Sequence, residues 1–133
     1  MKKAILAILI TVTGLIIPVP VKAEPTMQCL GVFHCTAYCT EKRAHICGNG
    51  TGITASGEPV KAGVSVAISS KMLPDLPYGS VIYIQDVGVR VVEDTGGGVS
   101  KNQIDVAVDT HDHAEHWELV GDHMVYLLEV EYE

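Results

Sequence analysis

A small all-β barrel is the fold class that this 133-residue chain predicts. Three observations lead there. About six short runs rich in β-branched and aromatic residues are separated by Gly- and Pro-bearing connections. Only one stretch carries helix-start signals. Once an apparent leader is set aside, about 110 residues remain, the size of one domain.

The elements follow in order. Lys2 and Lys3 precede the apolar run Ala4 to Ile17, and Val21-Lys22-Ala23 supplies small residues for signal-peptidase cleavage after Ala23. Pro18 and Pro20 break the run, which favours a cleaved signal peptide over residues 1–23 rather than a retained anchor. Residues 24–133 then form a single domain, exported, with no stable membrane insertion. Val32, Phe33, Thr36 and Tyr38 predict a strand over 31–38. The stretch 39–57 carries Gly48, Gly50, Gly52 and Gly57 and reads as a long loop. Val64 to Ser69 is a short apolar strand, and Pro74, Pro77 and Gly79 make 72–79 a connection. Val81–Ile84 and Val89–Val92 flank Asp86-Val87-Gly88 as a hairpin. A loop over 94–102, a strand over 104–108, a short helix over 111–119 and a strand over 124–130 complete the chain.

Charge narrows the partners. The whole chain is at −7, and without Lys2, Lys3 and Lys22 it keeps six basic against sixteen acidic residues, or −10. Nucleic acid is excluded as a partner, because phosphate recognition needs a basic footprint.

Cys29, Cys35, Cys39 and Cys47 cluster near the start of the exported part. An even, clustered set in an exported protein reads as two disulfides, with three possible connectivities. The rival is a metal site of Cys35, Cys39 and Cys47 with His34 or His45. Its spacings differ from the tight pairs common in zinc sites.

The chemistry concentrates between Glu93 and Trp117. Alternation over Ile104–Asp109 turns Ile104, Val106 and Val108 to the core and leaves Asp105 and Asp109 on the other face, with the small Ala107 between them. An ordinary solvated face would show the same pattern. Gly96-Gly97-Gly98 argues for more, since consecutive glycines suit unusual backbone angles or a close approach. His111, His113 and His116 lack the HExxH spacing, so no metal is expected there. Asp109, Thr110 and Asp112 are N-cap candidates for the following helix.

Taken together, Thr36-Ala-Tyr38, Thr54-Ala-Ser-Gly57, Ala62-Gly63, Pro77-Tyr-Gly79, Val92-Glu-Asp-Thr-Gly-Gly97, Ile104-Asp105 and Asp109-Thr-His111 with Ala114 and Trp117 resemble the three-aspartate domain of bacterial cell-wall enzymes. That domain is related to the catalytic barrel of MltA-type lytic transglycosylases. The resemblance runs from about Phe33 to Val130 and implies a six-stranded double-ψ β-barrel with one short helix. It also implies a secreted, cell-wall-located enzyme, bacterial or phage-encoded. Its substrate would be peptidoglycan glycan strands, cut at the MurNAc-β-1,4-GlcNAc bond to a 1,6-anhydro product without a cofactor. The family's acids fall on Asp94, Asp105 and Asp109, with Asp105 as acid/base. Thr54, Thr95, Gly97, Gly98 and Lys101 are the expected saccharide contacts. Where the family usually has an Asp, this chain has Ser69, with Asp75 in a short insertion after it. A non-catalytic glycan-binding barrel, expansin-like, is the alternative. A metal-bound structural module on the histidines or cysteines is a third.

Overall fold

The computed structural model describes residues 25–43 and 47–129. The signal peptide expected over residues 1–23 lies outside the described residues, as do His45 and Val130. The elements are β1 (Thr26–Cys39), β2 (Ser65–Ile68), β3 (Val81–Ile84), β4 (Gly88–Thr95), β5 (Gln103–Val108), α1 (His111–Glu115) and β6 (Gly121–Glu129), with one 3-10 turn at Ser70–Met72. The strands close into a barrel in the order β1-β5-β2-β4-β3-β6. Two pairs, β1–β5 and β2–β4, are parallel, and the other four are antiparallel. The all-β barrel with a single short helix is therefore the architecture found.

Closure follows from the apolar pattern. Every strand turns at least one fully buried side chain inward: Cys35, Val66 and Ile68, Ile82 and Ile84, Val92, Ile104, and Val125 are all 0% exposed. Met72 and Leu76 cap this core from the connection after β2. A closed barrel leaves no unpaired edge for these short strands, and none of them would persist alone.

The boundaries differ from the sequence reading in three places. β1 starts at Thr26 because its first half pairs with β6, from Thr26 opposite Glu129 through Cys29 opposite Tyr126. That half is exposed and has no alternating core pattern to announce it. β4 runs on to Thr95, so Asp94 stands on a strand and not in a loop. The helix is shorter than expected: it ends at Glu115 and is capped at its start by Thr110, whose hydroxyl accepts from the His113 amide at 3.1 Å.

Candidate active site

The site is built from a single row of residues across four strands. Thr36 on β1 lies opposite Asp105 on β5, Asp105 opposite Ala67 on β2, and Ala67 opposite Asp94 on β4. Directly opposed residues share a face of the sheet, so Thr36, Asp105, Ala67 and Asp94 point to one side. The register slips between Val66 and Ala67, which are paired with Val92 and Asp94. Glu93 is the extra residue of this bulge. Bulges of this kind re-aim side chains next to functional sites. Here the slip puts Asp94 in the row, while the Glu93 carboxylate accepts from the Ser65 hydroxyl at 2.5 Å instead.

Asp94 and Asp105 line one cavity of about 340 Å³, together with Tyr38, Ala67, Gln103 and the loop Thr95 to Val99. Asp94 is fixed from three directions. Its Oδ1 accepts from the amides of Ala55 (2.8 Å) and Thr95 (2.9 Å), and its Oδ2 accepts from the Tyr38 hydroxyl at 3.4 Å. Asp105 Oδ1 accepts from Thr36 Oγ1 at 2.8 Å, and Thr36 Oγ1 in turn accepts from Gln103 Nε2 at 3.2 Å.

Environment sets the protonation of Asp105. Burial pushes its carboxyl above the ordinary range and the neighbouring Asp94 charge pushes it further, while the Thr36 hydroxyl opposes both by favouring the carboxylate. Burial holds the Tyr38 hydroxyl firmly in its neutral form, and the Asp94 and Asp105 charges add to this. Tyr38 therefore keeps its hydroxyl proton, which it donates to Asp94. The paired environment yields one carboxyl that holds a proton at higher pH than a free aspartate, next to a second carboxyl locked in place.

The remaining residues singled out from the sequence divide. Thr95, Gly97 and Gly98 line the cavity. Lys101 is exposed and does not line it. Thr54 is buried, and its hydroxyl donates to the Glu58 carbonyl (2.9 Å) and bonds Ser56 Oγ (2.9 Å), which organises the 54–58 turn. Asp109 stands exposed beyond the end of β5. Its carboxylate takes the His113 ring (2.6 Å) and the Thr110 amide (2.9 Å), and the His113 hydrogen bond holds it below the usual range. Asp75 lines a different cavity of about 650 Å³, with Phe33, Met72 and Leu76. Ser69 is buried, and its carbonyl accepts the Met72 amide at the start of the 3-10 turn.

The glycine loop lies beside the two acids as expected, with a close approach at Gly96 and no unusual backbone angle, whereas the cysteine expectation needs correction. None of Gly96, Gly97 and Gly98 adopts a positive φ. A Cβ on Gly97 or Gly98 would meet open space, so their lack of side chains keeps the cavity floor low; one on Gly96 would lie 2.6 Å from Val99 Cγ2. The cysteines are free, not paired in two disulfides. Cys29, Cys35 and Cys39 share β1, where a rise of about 3.3 Å per residue separates consecutive pairs by roughly 20 and 13 Å, far beyond the ~7 Å limit of a bridge. Cys35 is sealed in the core, where burial pushes its thiol up to about 11. Cys39 and Cys47 do approach each other, their Sγ atoms lying within 4.8 Å. The alternative metal set fails for the same reason: Cys35 faces the core, and His34 bonds Asp122 at 2.9 Å.

Sequence reasoning passed over Tyr38 and Gln103 as site residues. Tyr38 carried a usable signal, because Thr36 and Tyr38 alternate on β1 and so share the face of Asp105. Gln103 carried the same kind of signal, since it precedes Asp105 by two residues on β5 and so shares its face, whereas its bond to Thr36 depends on the pairing of β1 with β5.

Fold and site together define a small closed β-barrel with a carboxyl pair in an open cavity across its β5, β2 and β4 strands. No family model matches the chain. The cell wall-binding protein YocH of Bacillus subtilis (strain 168) is 30% identical over 70 residues, which are 53% of this chain and 24% of that protein. Among solved structures, E. coli MltA with bound chitohexaose aligns over 59% of this chain and 27% of that one, at 17% identity and a TM-score of 0.48. The lytic transglycosylase LtgG of Burkholderia pseudomallei aligns over 59% of this chain and 27% of that one, at 14% identity and 0.42. An expansin of Clavibacter michiganensis in complex with cellohexaose aligns over 80% of this chain and 51% of that one, at 15% identity and 0.42. The chain thus spans about a quarter of the length of YocH and of MltA.

Proposed function

We propose that the chain is an exported peptidoglycan lytic transglycosylase that works on cell-wall glycan strands, with Asp105 as its single acid/base. The observation that carries this reading is the environment of Asp105. It is half-buried, bonded to Thr36 and set beside Asp94 in a cavity of about 340 Å³.

The reaction needs one proton carrier used twice. Asp105, protonated, donates to the glycosidic oxygen as the bond from that oxygen to MurNAc C1 breaks, and the GlcNAc side leaves as an alcohol. The C6 hydroxyl oxygen then bonds to C1, closing the 1,6-anhydro ring, and its proton passes to the Asp105 carboxylate. Asp105 ends as it began, and no water is consumed. A hydrolase would usually need a second carboxyl to activate water or act as nucleophile. Asp94, pinned by two backbone amides, faces the same cavity and suits the positive charge that develops at C1. Gly97 and Gly98 leave room for the saccharide, and Thr95 lines the wall. Asp109 serves the start of α1 in this reading, through His113 and Thr110.

A second reading is supported by the relative named a cell wall-binding protein: the same cavity would hold glycan without cutting it. Incubating purified peptidoglycan with the full chain separates the two. Lyase activity releases anhydro-muropeptides detectable by mass spectrometry, while a binding module co-sediments with the polymer and releases none.

A further inference from the structure

We infer that Cys39, Cys47 and His111 form a zinc site that ties the loop after residue 46 to the barrel, independently of the lyase reading. The two Sγ atoms and a ring nitrogen of His111 all lie within 4.8 Å of one another. Cys39 ends β1, Cys47 opens the glycine-rich loop and His111 begins α1, so three separate segments converge here. Cys39 is buried, and Cys47 and His111 are partly so.

The geometry suits a metal more than a chance contact. Cys47 Sγ stands 3.6 Å from His111 Nδ1. In a tetrahedral zinc site, bonds of about 2.3 Å to sulfur and about 2.05 Å to nitrogen set that edge at roughly 3.5 Å. The other ring nitrogen, Nε2, faces the Glu115 carboxylate at 3.3 Å. With zinc bound through Nδ1, the proton of His111 would sit on Nε2, on the side of that carboxylate. A carboxylate on the distal nitrogen is the outer partner that metal-bound histidines ordinarily have. Two thiolates and an imidazole select zinc over magnesium or calcium, which prefer oxygen. A tetrahedral ion would keep its fourth position for water, on the side of a second cavity of about 220 Å³ lined by Cys39 and Cys47. Gly48, Asn49, Gly50 and Asp94 line that same cavity. The ion would therefore brace one flank of the Asp94 side of the site.

The full chain, purified with a reductant and zinc chloride and then freed of excess metal, tests this by elemental analysis. One zinc per chain is expected, and cobalt(II) in its place should give the visible absorption of a tetrahedral thiolate complex. Cys47→Ser and His111→Ala should lose the bound metal, while Cys29→Ser keeps it. Glu115→Gln, which leaves all three ligands in place, should weaken zinc about tenfold in competition with a chromogenic chelator. Circular dichroism of each variant separates loss of the site from loss of the fold. Reduced wild-type protein that takes up neither zinc nor cobalt overturns the inference, as does full zinc retention by folded Cys47→Ser. A Cys39–Cys47 disulfide that persists in zinc-loaded protein overturns it as well.

Discussion

Asp94 and Asp105 flank Ala67 in one cross-strand row, and the bulge at Glu93 is what brings Asp94 into it. Their backbones stand two strand spacings apart, on the order of 10 Å, with only a methyl group between. Strand geometry alone would have put Glu93 opposite Ala67. The slip of one residue exchanges a glutamate that bonds Ser65 for an aspartate that faces Asp105.

The coupling has a sign that can be measured. Removing the Asp94 charge removes one of the causes that raise Asp105, so Asp94→Asn should move the alkaline limb of the pH–rate profile to lower pH. Thr36→Val removes the hydrogen bond that favours the carboxylate, and should move the same limb to higher pH. Initial rates of muropeptide release across pH check both. Equal limbs in the two variants would remove Asp105 from the role.

Asp105 should also cost stability. Its carboxyl is raised in the folded state, so the folded chain binds the proton more tightly than the unfolded one. Stability is therefore lost as pH rises from the ordinary value of 3.8 through the folded pKa, and it is regained on acidification through the same window. Asp105→Asn removes this dependence. Urea unfolding at neutral pH should find the variant as stable as wild type or more so, and a clear loss would show that the carboxylate holds the barrel together.

The glycine loop separates fold from binding. Gly96→Ala meets Val99 and should destabilise, with partial recovery in Gly96→Ala/Val99→Ala; a Cβ on Gly98 meets open space, so Gly98→Val should keep its unfolding midpoint. Because Gly98 lines the cavity, the latter should still weaken co-sedimentation with peptidoglycan. Unaltered binding by Gly98→Val would place the saccharide elsewhere.

Thr54 acts through the turn. Its hydroxyl is buried and doubly bonded, so Thr54→Val should lower stability by about 1–3 kcal/mol in urea titrations. Glycan affinity at temperatures where the variant remains folded should hardly move.

Much of the fold was legible because each strand announces itself in a few residues. Val66 and Ile68, Ile82 and Ile84, and Ile104 and Val106 alternate as buried strand positions must, and Pro74, Pro77 and the Asp86-Val87-Gly88 turn mark the gaps. Asp105 was legible for the same reason, as the polar position between two core residues. What escaped depends on partners remote in sequence. The first half of β1 exists through β6, Asp94 gains its face through a bulge against β2, and His111 meets Cys47 across 64 residues. Gly97 and Gly98 form the middle of a turn closed by the Val99 amide on the Gly96 carbonyl at 3.1 Å, and the sequence alone does not show that the same turn also borders the cavity.

The central claim is that one carboxyl, Asp105, carries the proton in both halves of the reaction. Digestion of purified peptidoglycan by wild type and Asp105→Asn, followed by mass spectrometry of the soluble products, tests it most directly. The account predicts 1,6-anhydro-muropeptides from wild type and a fall of about 10²-fold or more with folded Asp105→Asn. Equal release of anhydro products by the two proteins, or hydrolytic products with a free reducing end from wild type, would contradict it.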